Sequence, residues 1–387
     1  METKVEILII GAGLSGLTAA LHFLKSGFPV TLIEKSSYPH HKVCGEYLSN
    51  EVLPYLEWLD LDLSSLSPVP IHQFQFSSND GKVLQTELPL GGIGISRYSL
   101  DHFLFQEAIA RGCQMIHDTV TDLSFEDDLF SVKLASQQLI KAKVVIGAYG
   151  KRDGLDQKLS RNFIQRKSPW LAVKAHYEGS FPDDLVAIHN FDGGYCGVSK
   201  VENNRINICY LVDYNSFKKY KSIPEHRLEV LYQNPHLKKI FEGLKPLFEQ
   251  PIAIGQISFE KKSLVENHIL MIGDTAGLIH PFCGNGMAIA IHSAKICASC
   301  VIAYFEKGAS SRSQMEWQYR RLWNQQFLSR ITAGKVMSGI LRKKQLTSKF
   351  MRILIKYPFL LSMMIKQTHG KPIMIAGEIS NELTENR

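Results

Sequence analysis

Near its start the chain carries an apolar run, Val5-Glu6-Ile7-Leu8-Ile9-Ile10, followed by Gly11-Ala12-Gly13-Leu14-Ser15-Gly16 and a helical periodicity over residues 17–24 that stops at Ser26-Gly27. A second apolar run, Pro29-Val30-Thr31-Leu32-Ile33, closes on Glu34. Strand, glycine turn, helix and strand make one βαβ unit. Further buried-strand patterns fall at 143–147 and 268–272. The second runs into Gly273-Asp274-Thr275-Ala276-Gly277, then into Pro281-Phe282-Cys283-Gly284-Asn285-Gly286-Met287 and a small-residue helix over residues 288–304. Alternating, aromatic-rich stretches at 71–76, 172–177 and 205–212 predict a separate, mostly antiparallel sheet. Residues 311–371 read as helices broken at Tyr357-Pro358, with a frayed last dozen.

These elements predict an α/β fold with a discontinuous Rossmann-type domain over 1–68, 92–165 and 262–310. An inserted, mostly antiparallel substrate sheet occupies 69–91 and 166–261, and a C-terminal helical region 311–387. The glycines have separate tasks: Gly11 permits a tight turn, Gly13 lets backbone approach a pyrophosphate, and Gly16 lets helix and strand pack closely. Ser15 lies in the same turn. Glu34, at the end of the second strand, is positioned to accept hydrogen bonds from ribose hydroxyls.

With 387 residues, 45% of them hydrophobic and 21% charged, the chain can bury a large core, which excludes a peptide hormone, a disulfide miniprotein and a disordered tail. Seven irregularly spaced cysteines point to a reducing, cytoplasmic compartment. The start of the chain shows no secretory pattern, and no unbroken apolar run approaches the ~20 residues of a membrane span. The net charge of +7 is uneven, because between Glu316 and Glu378 there are twelve cations and no acid, leaving the remainder net acidic. That distribution argues against a nucleic-acid-binding body. Two readings of the segment stay open. It forms an interaction face for an anionic membrane surface or an acidic acyl carrier protein, making the protein peripheral at the membrane, or it is a solvated cationic face over packed helices. Cys297-Ala298-Ser299-Cys300 falls inside a helical pattern without a second pair, so no metal site is expected.

Four places together resemble the FAD-dependent geranylgeranyl reductase family, within the p-hydroxybenzoate hydroxylase-type flavoproteins. They are Gly11 to Gly16 with Glu34; Lys42-Val43-Cys44-Gly45-Glu46 with Pro39 to His41 before it; Ser96-Arg97 with Asp101; and Gly273-Asp274 through Gly284-Asn285-Gly286. The resemblance covers roughly residues 1–305 and implies FAD. It carries over as FAD contacts Lys42, Cys44, Gly45, Tyr47, Arg97, Val120, Asp274, Pro281, Gly284, Asn285, Gly286 and Met287. Amides opening the helix after Gly284 suit negative charge on a reduced flavin. Only one dinucleotide fingerprint is present, so the electron donor is expected to be transiently bound NAD(P)H or a reductase partner.

Where the family has a second glycine, this chain has Glu46. The carboxylate reads either as a proton donor with a raised pKa or substrate contact, or as a cap on the helix beginning near Ser49. Cys44, Glu46 and Tyr195 are the candidate catalytic residues. Tyr195 survives from the family's Tyr-x-Trp-x-Phe-Pro-Lys stretch, whose Trp, Phe and Pro are absent from Gly193 to Lys200. Trp170, Lys174 and His176 share one strand face and read either as a wall of the substrate pocket or as an exposed polar face. The expected activity is reduction of carbon–carbon double bonds in a hydrophobic small molecule that is lipid-like, prenyl or polyketide. The alternatives are a monooxygenase hydroxylating an aromatic or polyketide ring, and a non-catalytic flavin- or lipid-binding protein.

Overall fold

The run Ile7-Leu8-Ile9-Ile10 is buried on both faces, as the centre of a parallel sheet requires. The computed structural model describes residues 2–306, 311–341, 351–357 and 359–374. In it β1 (Glu2–Ile10) lies in parallel between β2 (Thr31–Glu34) and β9 (Leu139–Gly147). Beyond them β6 (Gln114–His117) pairs in parallel with β2, and β17 (Ile269–Met271) with β9. β16 (Val265–Glu266) and the hairpin of β7 (Val120–Glu126) with β8 (Leu129–Leu134) complete eight strands among the described residues. The four strands expected for this sheet are all in it. The 311–371 expectation also holds where the chain is described: Arg312–Leu341 and Phe359–Thr368 are helices, and helix 351–356 ends at Tyr357.

The helix Leu14–Lys25 crosses from β1 to β2 and packs against two others, Arg97–Ala110 and Gly286–Glu306. Gly286–Glu306 is long and apolar enough to cross a bilayer, but 72% of its most apolar stretch is buried inside this fold. It is a core helix. Cys297 and Cys300 are free thiols buried along it, and no cluster of metal ligands occurs among the described residues.

The second sheet holds β10 (Trp170–Gly179), β11 (Leu185–Phe191), β12 (Gly194–Val201) and β13 (Arg205–Asp213). They join β4 (Val69–Ser77), β5 (Val83–Gly94) and β3 (Tyr47–Ser49), with β14 (Leu244–Pro246) and β15 (Ile252–Ile254) on β10. All its pairs are antiparallel except β11 with β4. Two expected boundaries need correction: Tyr47–Ser49, placed within 1–68, pairs into this sheet, and β5 runs past residue 91 to Gly94. Both faces are covered. Val173, Ala175, Ile208 and Tyr210 point into a cluster with Leu231, Leu237 and Phe241, whereas Ala172, Ile188, Tyr195 and Leu211 on the opposite face cluster with Ile257, Leu278, Phe282 and Leu361.

Candidate active site

Gly11 sits at φ +98°, a conformation costly for any side chain, and a Cβ on it would lie 2.6 Å from the carbonyl oxygen of Ala148. A Cβ on Gly16 would lie 2.0 Å from the carbonyl oxygen of Gly11. The turn is therefore drawn tight, with the Gly11 amide donating to the Ile33 carbonyl at 2.8 Å. At Gly13 a Cβ would meet the Lys42 ammonium at 3.4 Å and the Arg97 guanidinium at 3.7 Å. Two cations and a backbone turn thus converge where a pyrophosphate would lie. Arg97 is fixed by two bonds of 2.6 Å to Asp101, which also accepts from Lys42 at 3.1 Å. Burial opposes the charge on Asp101, but Arg97 and Lys42 prevail and hold its carboxyl below the usual range.

A cavity of about 510 Å³ runs over this turn. At one end lie Glu34 and Val120. The Glu34 carboxylate is aimed by the Ala12 and Ser36 amides, which donate to it at 2.8 and 2.9 Å. The middle is lined by Gly13, Ser15, Arg97 and Asp274, and the far side by Cys44, Gly45, Tyr47, Pro281, Gly284, Gly286 and Met287. Gly286 opens the long core helix, so free first-turn amides face this end. An extended dinucleotide with an anionic centre and an electron-accepting ring fits this order of groups. Asn285 does not belong to it: its amide turns away, donating to Glu51 at 3.3 Å and to the Thr368 carbonyl at 3.0 Å. Sequence placed it correctly on the turn and could not show which way it points.

The Lys42 to Glu46 segment is held from behind. Lys174 Nζ donates to the Lys42 carbonyl at 3.2 Å, Lys151 Nζ to that of Val43 at 2.8 Å, and Asn207 Nδ2 to those of Cys44 and Gly45 at 3.2 and 2.8 Å. Each carbonyl of residues 42–45 thus has a side-chain donor drawn from another segment. Register explains the convergence. β10 and β13 pair His176 with Asn207 and Lys174 with Cys209, which puts all four on the face toward the loop. Asn207 and Lys151 were not among the residues expected from sequence; a lone Asn in an alternating strand carries no chemical signal.

Glu46 completes the clasp. It sits at φ +55° and is fully buried; its carboxylate accepts from Lys174 Nζ at 2.5 Å, His176 Nε2 at 2.6 Å and the Arg97 amide at 2.9 Å. Burial alone would raise its pKa, but Lys174 and His176 outweigh burial and hold it lowered. The expectation of a proton donor with a raised pKa is therefore overturned, because an ionised carboxylate has no proton to give. The cap expected near Ser49 is supplied by Ser49 itself. Lys174 and His176 are correspondingly buried partners of Glu46, neither pocket wall nor exposed face, and Trp170 packs on Phe259 and His280.

Beyond Cys44 and Tyr47 the cavity continues over the second sheet, whose cross-strand neighbours Ala172, Leu211 and Tyr195 share that face with Ile188. Ile254, Ile257 and Leu278 close it. The Tyr195 hydroxyl is buried without a hydrogen-bond partner among the described residues, and its pKa is raised by burial and by nearby thiols. It stays protonated. Tyr195 is the expected catalytic residue that does face this compartment, while Cys44 lines the wall between the two halves.

A split dinucleotide sheet, a helix terminus at one end of its cavity and a second sheet closing over it define a flavoprotein oxidoreductase. The chain belongs to the FAD binding domain family, which it matches over residues 4–321. It is 26% identical over 344 residues to digeranylgeranylglycerophospholipid reductase of Methanosarcina acetivorans, covering 84% of this chain and 82% of the relative. It is 24% identical over 325 residues to 6-hydroxynicotinate 3-monooxygenase of Bordetella bronchiseptica, covering 76% and 82%. In fold it is similar to the flavin-dependent brominase Bmp2, with a TM-score of 0.78 over 99% of both chains at 17% identity. The resemblance to geranylgeranyl reductases agrees with these relatives, and the protein is an FAD-dependent oxidoreductase.

Proposed function

We propose that the protein reduces carbon–carbon double bonds in a lipid-like, prenyl or polyketide substrate. The observation that carries this reading is the apolar compartment over the second sheet, where Ala172, Ile188, Leu211, Ile254, Ile257 and Leu278 surround the Tyr195 hydroxyl, buried and without a hydrogen-bond partner among the described residues. A hydrocarbon chain gains by filling such walls at roughly 25 cal/mol per Å² removed from water. A polar ring would leave its own donors unpaired there.

Reduction of an alkene adds hydride to one carbon and a proton to the other. FAD, when bound and reduced, supplies the hydride. Tyr195 holds a proton at Oη within the compartment, and the Lys42 to Glu46 clasp keeps Cys44 and Gly45 fixed against the ring site. The electron donor in this reading is transiently bound NAD(P)H or a reductase partner. Similarity to 6-hydroxynicotinate 3-monooxygenase supports the second reading, hydroxylation of an aromatic or polyketide ring. The test is anaerobic reduction with dithionite, followed by a geranylgeranyl glycerolipid in detergent. Reoxidation without oxygen supports reduction; reoxidation that needs oxygen and yields a hydroxylated product overturns it.

A further inference from the structure

The C-terminal arm forms one wall of the active-site region. Inward, Leu361, Met364, Ile365, Thr368 and His369 line a small apolar cavity of about 40 Å³, which shares Tyr47, Val186, Ile188 and Gly284 with the main one. The arm is anchored at the buried Glu51. That carboxylate accepts from Arg330 at 3.2 Å, from the Gly370 amide at 2.5 Å and from Asn285, while the Ile373 amide donates to the Glu51 carbonyl at 2.8 Å. Arg330 is thus an internal cation and no part of a surface.

Outward, the same arm is unlike an ordinary solvated face. Phe359 is 60% exposed, Met363 51%, Ile353 51% and Ile355 46%. Residues 359, 363 and 366 lie three and four apart, so Phe359, Met363 and Lys366 form one stripe opposite the buried Leu361 and Ile365. Arg352, Lys356 and Lys371 are exposed alongside. The described part of residues 317–374 contains no acid, and β5, against which the Phe359–Thr368 helix packs, adds the exposed Leu90 and one exposed carboxylate, Glu87. Arg342, Lys343, Lys344 and Lys349 lie outside the described residues.

We propose that this outer face docks on an anionic lipid bilayer. Exposed large apolar side chains and exposed cations on one segment suit the boundary between acyl chains and acidic headgroups. An acidic carrier protein would match the cations but leave the Phe359, Met363 and Ile353 side chains without a nonpolar partner. Docking there would bring the bilayer against the wall that bounds the apolar cavity, which rests on the lipid-like substrate reading above. The binding itself can be measured without turnover, so its failure and the failure of that reading are distinguishable.

The experiment is flotation of FAD-loaded protein with vesicles of phosphatidylcholine alone and of phosphatidylcholine mixed with phosphatidylglycerol. Binding is expected to the anionic vesicles only, and to fall with salt. Each cation near such a surface contributes about fivefold, so Arg352→Gln/Lys356→Gln/Lys366→Gln weakens partitioning on the order of a hundredfold. Phe359→Ser/Met363→Ser also weakens it. None of these residues lines either cavity, so the flavin spectrum of both variants is expected to match wild type and reports folding. The proposal is overturned by absence of flotation at low ionic strength, by equal binding to both vesicle types, or by variants that float like wild type. Capture of an acyl carrier protein by wild type, lost in these variants and without vesicle binding, reassigns the face to a protein partner and likewise overturns it.

Discussion

Replacing Lys174 with methionine tests the buried clasp behind the Lys42 to Glu46 segment. The substitution keeps most of the apolar stem and removes an ammonium that is fully buried between Glu46 and the Lys42 carbonyl. Breaking a buried pair by deleting one partner costs about 3–5 kcal/mol, because the remaining charge is left uncompensated. His176 and the Arg97 amide still hold Glu46, which favours the lower half; the lost bond to the Lys42 carbonyl adds back about 1 kcal/mol. The expected loss is therefore about 4 kcal/mol at neutral pH. In the wild type the folded-state carboxyl of Glu46 is lowered. Its stabilisation is fully present above the unfolded value of about 4.3 and is lost as pH falls through the lower folded value. Without the lysine, burial raises the folded value, so the ion is costly at neutral pH and the cost disappears as pH falls below about 4.3. The gap between wild type and variant should thus be widest near pH 7 and narrow toward pH 4. Glu46→Gln combined with Lys174→Met should recover most of it. Urea unfolding of the FAD-free protein followed by circular dichroism gives these values, with equal slopes confirming comparable unfolding. A loss under about 1 kcal/mol, or a gap that does not change with pH, refutes the reasoning.

Glu46→Gly should relieve roughly 1 kcal/mol of left-handed backbone strain yet still destabilise, because Lys174 and His176 lose their carboxylate; a net gain in melting temperature contradicts this. Glu34→Ala should weaken FAD by roughly 1–3 kcal/mol in fluorescence titration, the cost of leaving ribose donors unpaired. Tyr195→Phe should leave the flavin spectrum intact and slow anaerobic substrate-dependent reoxidation roughly 10²–10⁴-fold, as for a lost general acid. Asn285→Ala should lower thermal stability while flavin absorbance per protein stays near wild type, since its amide holds Glu51 and the Thr368 carbonyl, not the cavity.

The first βαβ unit was legible because each of its constraints is local: the strand, the glycines and Glu34 lie within about one supersecondary unit. The strands at 143–147 and 268–272 were equally legible as apolar runs ending in glycine. Glu46 was not, because its partners stand 128 and 130 residues later and only strand register brings them to it. Burial by itself predicts a raised carboxyl pKa, and Lys174 and His176, which the sequence offers only as one strand face and not as partners of Glu46, reverse the sign. Asn207 and Lys151 were invisible for the same reason, being donors whose acceptors are backbone carbonyls with no sequence signature. Asn285 shows the complementary limit. The motif fixed where it lies on its turn, and the packing of the C-terminal arm against Glu51 decided which way it faces.

Product mass after anaerobic turnover in heavy water tests the proposed chemistry most directly. FAD-loaded, dithionite-reduced protein given a geranylgeranyl lipid should yield product heavier by two hydrogens per reduced double bond. Both of each pair should be deuterium, because dithionite supplies only electrons and the hydride equivalent, like the proton, then originates in the solvent, and no oxygen should be incorporated. Recovery of unchanged lipid anaerobically, together with product bearing one added oxygen when air is admitted, would contradict the reductase account and establish the monooxygenase in its place.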